Sequence, residues 1–295
     1  MKNILALKGG GYKGLYQALI LNYIEKKTNK KIHEIFDLIV GTSIGSINGF
    51  ALSLGITTQE ILDLYLSKTG RKVFKKNILT NDIFISKYSE SNIKDFIKGF
   101  FKDKQMKECL VPTMSLSYDI VKKEPKLFKS YKTPDEQIYH ATKASASAPT
   151  YFPSHEYEGS LLIDGGVMFN DPSLIAYVEA QKLFKGESIN LLSIGTLYDV
   201  KPIKIKNGGK LAWATNIFDV LFEATSSGID YLIKNLALRE NDNYLRIDKI
   251  DKMNLAMDNS SKEAIELIYS YAEKTIEENK DAIDNFINIV MNKNS

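Results

Sequence analysis

Three times within its first 170 residues the chain repeats one pattern: a short apolar run, a glycine-rich turn, then a helical stretch. Ile4-Leu5-Ala6-Leu7 runs into Gly9-Gly10-Gly11-Tyr12-Lys13-Gly14, and Ile35–Val40 runs into Gly41-Thr42-Ser43-Ile44-Gly45. Leu161-Leu162-Ile163 leads into Asp164-Gly165-Gly166. Apolar runs without polar alternation belong to strands covered on both faces, as in parallel sheets. Helices placed between them predict an α/β sandwich with a mainly parallel sheet. In such sheets, sites form at the carboxyl ends of the strands, where all three turns fall.

The rest of the chain fits that architecture. Residues 14–27 read as a helix, as does a segment ending at Gly55, and Thr58 is expected to cap the helix after it. Residues 70–105 are lysine-rich and read as an insertion with a helix near 91–101. VPTMSLSYDI, KLFKS, INLLSIGT and NYLRI read as strands. Thr133-Pro134 is expected to open a helical segment, and Asp171 to cap a helix with Pro172 at its first position. Residues 260–293 read as a charged amphipathic helix or helix pair. No linker or repeat interrupts the 295 residues, so one domain is expected: a motif-bearing core over about 3–197 and a mostly helical extension over about 211–295.

Charge and cysteine content narrow the chemistry. The formal net charge is +3, and only Arg71, Arg239 and Arg246 are arginines, a poor set for reading bases; no nucleic-acid partner is expected. Cys109 is alone, which excludes an internal disulfide and a cysteine metal cluster. No secretory leader and no run of eighteen apolar residues is present, so a cytoplasmic protein is expected.

A row of backbone N–H groups at Gly9–Gly14 welcomes negative charge, either a bound phosphate or an oxyanion that forms during a reaction. Gly9, Gly11 and Gly14 fit G-x-G-x-x-G, but the second strand ends without the acidic residue a dinucleotide requires, and Asp37 sits at its beginning. Lys13 is not followed by Ser or Thr, so a Walker loop also fails. Gly41-Thr42-Ser43-Ile44-Gly45 is a G-x-S-x-G elbow, in which flanking glycines let a strained turn lift the serine hydroxyl above the sheet. Such a serine needs a base. The chain has three histidines, His33, His140 and His155, and none lies where an α/β-hydrolase triad puts its base. Asp164, at the end of its strand, can instead accept the Ser43 proton directly.

Together these motifs resemble the patatin-like phospholipases: the glycine triplet with Lys13 and Gly14, the Ser43 elbow, the run Ala144-Ser145-Ala146-Ser147-Ala148-Pro149, and Asp164-Gly165-Gly166. LLSIGT also matches a family strand that ends in Gly-Thr, and the likeness spans about residues 3–197. The resemblance implies a three-layer α/β/α sandwich and a lipid acyl hydrolase, a serine esterase of phospholipase A or lysophospholipase type. It implies Ser43 as nucleophile, Asp164 as base, and the Gly9, Gly10 and Gly11 amides as oxyanion hole. Lys13, Gly14, Gly41, Gly45, Gly165 and Gly166 would support them. No metal or cofactor is implied.

The implied partner is a phospholipid or other glycerolipid met in peripheral contact with a membrane, with a small-molecule or protein activator left open. Lys8, before the triplet, departs from the family's usual acid or small residue. Arg71, Lys72, Lys75 and Lys76 beside Val73 and Phe74, and the segment around Trp213, are candidate lipid-docking surfaces or plain solvated and packing segments. Two other readings stay open: a catalytically weak lipid-binding or signalling protein on the same scaffold, and a nucleotide-binding protein that uses the Gly9–Gly14 turn.

Overall fold

The computed structural model describes residues 1–74, 86–199, 209, 213, 217–240, 242–253 and 255–292. Its strands are β1 (Lys2–Leu7), β2 (Leu38–Thr42), β3 (Thr113–Asp119), β4 (Glu124–Lys129), β5 (His155–Tyr157), β6 (Ser160–Asp164), β7 (Ile189–Ile194), β8 (Tyr198–Asp199), β9 (Asn243–Ile247) and β10 (Ile250–Asp251). The helices before β3 are α1 (Gly14–Thr28), α2 (Ile32–Ile35), α3 (Ile44–Ser53), α4 (Thr58–Leu66), α5 (Lys68–Lys72) and α6 (Glu90–Phe101). After it come α7 (Ile138–Ser145), α8 (Gly166–Phe169), α9 (Ser173–Leu183), α10 (Ile217–Glu240), α11 (Lys262–Glu278) and α12 (Lys280–Asn292).

The sheet runs in the order β5-β6-β3-β2-β1-β7-β9, with β4 also paired to β3. The five strands from β3 to β9 are parallel, so the fold is the expected α/β sandwich. Alternate residues of β1 feed two cores. Leu5 and Leu7 pack with α1, α3 and α11 on one face, while Ile4 and Ala6 pack with α9 and Ile233 of α10 on the other. Both faces of the strand are covered, which is why its sequence is apolar without a break.

The antiparallel edge of the sheet decides where the third glycine turn lands. β4 occupies one edge of β3 over Met114–Asp119. The other edge is shared end to end: β2 runs parallel to it over Thr113–Leu116, and β6 runs antiparallel over Ser117–Asp119. Thr42 faces Leu116, and Asp164 faces Ser117. Neighbouring residues of a strand are about 3.3 Å apart along it. The carboxyl ends of β2 and β6 therefore meet head-on, and the turns beyond them are forced together.

Several sequence-based boundaries shift. β2 begins at Leu38 rather than Ile35, because Glu34 caps the backbone of Lys31 and closes the short turn α2. The α4 cap is Thr57, in a capping box with Glu60, and not Thr58, whose hydroxyl and N–H both serve Glu25. Thr133-Pro134 opens no helix: α7 starts at Ile138, after Gln137 has bridged to Gln105. Pro172 is the cap of α9 and Ser173 its first residue, although Asp171 Oδ1 still accepts the Ser173 N–H at 2.9 Å.

Candidate active site

Ser43 has φ 55° and ψ −125°, a conformation that side chains other than glycine rarely adopt. The flanking glycines allow it. A Cβ on Gly41 would lie 2.2 Å from the Gly45 carbonyl oxygen, and one on Gly45 would lie 2.1 Å from the Leu7 carbonyl oxygen. The Ser43 N–H donates to Ser145 Oγ at 2.8 Å, which gives the Ala/Ser-rich run a definite task.

Asp164 is fully buried. Its Oδ1 accepts the Gly166 N–H at 2.7 Å, and a Cβ on Gly165 would lie 2.4 Å from the Leu116 carbonyl, so this turn is pressed against β3. Burial pushes the carboxyl up from 3.8 to about 7, only partly offset by hydrogen bonding from the Ser43 hydroxyl and the Gly166 amide. Oδ2 is buried and meets no donor in full hydrogen-bond geometry among the described residues. Catalytic hydrogen bonds commonly tighten only once substrate is bound.

The glycine triplet lies against this pair. A Cβ on Gly9 would come within 3.0 Å of Ser43 Cβ, and Gly10 and Gly11 line the same cavity as Ser43 and Asp164. Gly9 departs from the expected role of oxyanion donor, because its N–H is already given to the Asn170 carbonyl at 3.0 Å. Its carbonyl is held as well, by Thr196 Oγ1 at 2.7 Å. The N–H groups of Gly10 and Gly11 meet no acceptor among the described residues and lead into α1. Gly14 has no room for a side chain, since a Cβ would lie 2.4 Å from Tyr65 Oη.

Buried Lys13 anchors the loop by donating from Nζ to the Leu197 carbonyl at 3.2 Å, and burial lowers its pKa. Lys8 is buried beneath α10, 3.4 Å from Glu223. Gly11→Ala tests the loop. Gly11 has φ +59°, and a Cβ there would lie 2.3 Å from the Met257 carbonyl. The substitution is expected to lower kcat by the ~10²–10³ of one lost oxyanion donor, read as ester turnover.

The cavity is a slot of about 610 Å³ including its mouth. Opposite the reactive groups its wall is hydrocarbon and aromatic, with Ile47, Tyr65, Val73, Phe74, Ile93, Phe96 and Phe152. A second hollow, about 680 Å³ including its mouth, opens by His33, Phe36 and Asp37; it holds neither Ser43 nor Asp164.

Val73, Phe74, Ile93 and Phe96, from the stretch read as an insertion, thus form part of the wall. Val73 is buried, and Phe74 packs on Tyr88 and Phe152, so this apolar pair faces inward and forms no lipid-docking face beside the exposed Arg71 and Lys72. Lys75 and Lys76 lie outside the described residues. So does most of the segment around Trp213, whose own side chain is exposed. His140 and His155 share a 3.0 Å bond between Nδ1 and Nε2, and burial lowers both pKa values, His155 to about 4. Neither lines the slot, and His33 lines the other hollow.

Sequence reasoning passed over Asn170, Thr196 and Ser145 as functional residues. Each lies inside or beside a motif that was legible for its glycines or alanines, and each acts through one hydrogen bond that spacing does not reveal.

The patatin-like phospholipase family model matches residues 5–177, more than half of the chain. The cGAMP-activated phospholipase of Pseudomonas aeruginosa is 26% identical over 268 residues, spanning 83% of this chain and 78% of that protein. Patatin-like protein 2 of Arabidopsis thaliana is 27% identical over 306 residues, spanning 83% and 74%. Among solved structures, VipD from Legionella pneumophila aligns at a TM-score of 0.44 and 12% identity, over 93% of this chain and 67% of that one. The family model takes in the glycine triplet, the Ser43 elbow and the Asp164 turn, and the chain belongs to the patatin-like phospholipases, a family of lipid hydrolases.

Proposed function

We propose that this chain cleaves acyl esters of glycerolipids, as a phospholipase A or lysophospholipase, through an acyl-serine formed on Ser43 with Asp164 as base. One observation carries the reading: a strained serine and a carboxyl with a raised pKa, brought to neighbouring positions along β3, face one apolar slot. Ser43 Oγ attacks the ester carbonyl as Asp164 takes its proton. The oxyanion sits on the Gly10 and Gly11 N–H groups, with the positive ends of the α1 and α3 dipoles behind it. Asp164 returns the proton to the leaving alcohol, then takes a proton from the water that attacks the acyl-serine and gives it to Ser43 Oγ as the fatty acid leaves.

The slot's apolar lining suits a hydrocarbon chain. Phe96, buried in the wall and edge-on to Tyr65, limits how much of that chain enters. Phe96→Leu is therefore expected to move preference toward longer or bulkier acyl groups. Each extra methylene admitted is worth about 0.8 kcal/mol, about fourfold in kcat/KM, read on a series of nitrophenyl esters.

The bulk substrate lies in a bilayer, so the reading includes peripheral membrane contact by a cytoplasmic protein. The test is fatty-acid and lysolipid release from phospholipid vesicles by wild type and Ser43→Ala, with and without added cGAMP because one relative is cGAMP-activated. Release that depends on Ser43 supports the reading; equal release by both proteins overturns it.

A further inference from the structure

The Gly195-Thr196 pair that follows β7, the cap region of α9, and Arg246 in the C-terminal third have no role in the chemistry above, yet they converge on one residue, Gly9. Gly9 is gripped on both sides, its N–H by the Asn170 carbonyl at 3.0 Å and its C=O by Thr196 Oγ1 at 2.7 Å. The two grips come from separate segments, and Arg246 of β9 joins them.

One arm of the guanidinium, Nη1, bonds Asp171 Oδ2, next in the chain to Asn170, and also Ser193 Oγ at 2.6 Å. The other arm, Nη2, bonds Asp248 Oδ2 at 2.7 Å. Asp248 Oδ1 in turn accepts the N–H of Leu197, next in the chain to Thr196, at 3.0 Å. Asp171 is fully buried, and the side chains of Asp248 and Arg246 are 8% and 14% exposed. Gly195 is the space that admits this cluster: a Cβ there would lie 1.9 Å from the Asp248 carboxyl.

We propose that Arg246 is a positioning residue that ties the Asn170 and Thr196 grips together and so holds Gly9, and with it the Gly10 and Gly11 N–H groups, at the height of the oxyanion. The inference rests on the hydrolase reading above. Lysine cannot replace it, because two carboxylates on two segments need the two arms of a planar fork. An error of about 1 Å in the donors can cost about 10² in rate. The clamp lies outside the family-matched residues 5–177 on two of its sides, Thr196 and Arg246, which gives the C-terminal third a part in the site.

The test is kcat and KM for a soluble nitrophenyl ester, with kcat expressed per Ser43 site titrated by a fluorophosphonate. Arg246→Lys is expected to lower kcat per site by about 10–10² and leave KM within about twofold, as for a transition-state interaction. Thr196→Val, which leaves the ion cluster intact, is expected to do the same and reads the clamp even where Arg246→Lys fails to fold. Thr196→Ser, which keeps the hydroxyl, is expected to retain at least about tenfold more activity than Thr196→Val, the share of transition-state stabilisation that the hydroxyl carries. The double variant is expected to cost less than the product of the singles, because both act on Gly9.

A merely structural role would lower the titrated fraction and Tm while leaving kcat per site unchanged, and that result overturns the clamp. If wild type neither turns over ester nor labels at Ser43, the hydrolase reading itself fails and the clamp falls with it.

Discussion

Replacing Ser43 with glycine is expected to end turnover and to stabilise the fold in the same step. The loss should reach about 10⁴-fold or more, as when a serine nucleophile is removed from other hydrolases. Stabilisation comes from the backbone. At φ 55° and ψ −125° a residue bearing a Cβ stores on the order of 1–3 kcal/mol, and glycine does not. Glycine gives back about 0.5–1 kcal/mol through the greater freedom of its unfolded chain. The net gain is about 1 kcal/mol, roughly 2 °C in Tm for a chain of this size. Ser43→Ala separates the two effects, because it removes the hydroxyl but keeps the Cβ: turnover is lost and Tm stays. Residual turnover in either variant contradicts the assigned nucleophile. A fall in Tm for the glycine variant contradicts stored strain.

Asp164→Asn is expected to lower kcat by the ~10²–10⁴ of a lost general base and to flatten the pH profile. In wild type the base must be ionised. With its pKa raised to about 7, activity should be half-maximal there, level above it, and fall about tenfold per pH unit below. The same burial costs stability.

The folded protein prefers the neutral acid, so between pH 3.8 and about 7 it binds more protons than the unfolded chain does. The associated stability is fully present below 3.8 and drains away as pH rises to about 7, by about 4 kcal/mol in all. Asparagine never ionises and keeps an oxygen for the Gly166 N–H. The variant should therefore be more stable than wild type above pH 7 and converge on it near pH 4, as read by thermal denaturation across pH.

The three turns were legible because glycines at close backbone contacts leave a mark in sequence: no side chain fits at Gly11, Gly41, Gly45 or Gly165. The two-sided burial of β1 likewise shows as an unbroken apolar run. What spacing could not show is how Asp164 reaches Ser43. The expected carboxyl edge of a parallel sheet is only half the explanation, since β6 is antiparallel and meets β2 end to end along β3. β2 and β6 lie over a hundred residues apart in the chain, and their meeting along β3 leaves no local trace.

The same limit hid the clamp, because nothing near Arg246 in the chain announces Asp171. At Val73-Phe74, where the sequence leaves docking and packing both open, tertiary packing turns the apolar pair into the slot wall. At Gly9 spacing likewise could not show that the Asn170 carbonyl takes its N–H.

The most direct test of the proposed pair is covalent. Wild type and Asp164→Asn are treated with a fluorophosphonate across pH 5–9, and the modified peptide and its rate of formation are read by mass spectrometry. A single adduct on Ser43 is expected, its rate in wild type rising to a plateau through about pH 7 and in Asp164→Asn at least about 10²-fold slower and flat with pH. An adduct on another residue, or labelling of Asp164→Asn at the wild-type rate, would contradict the account.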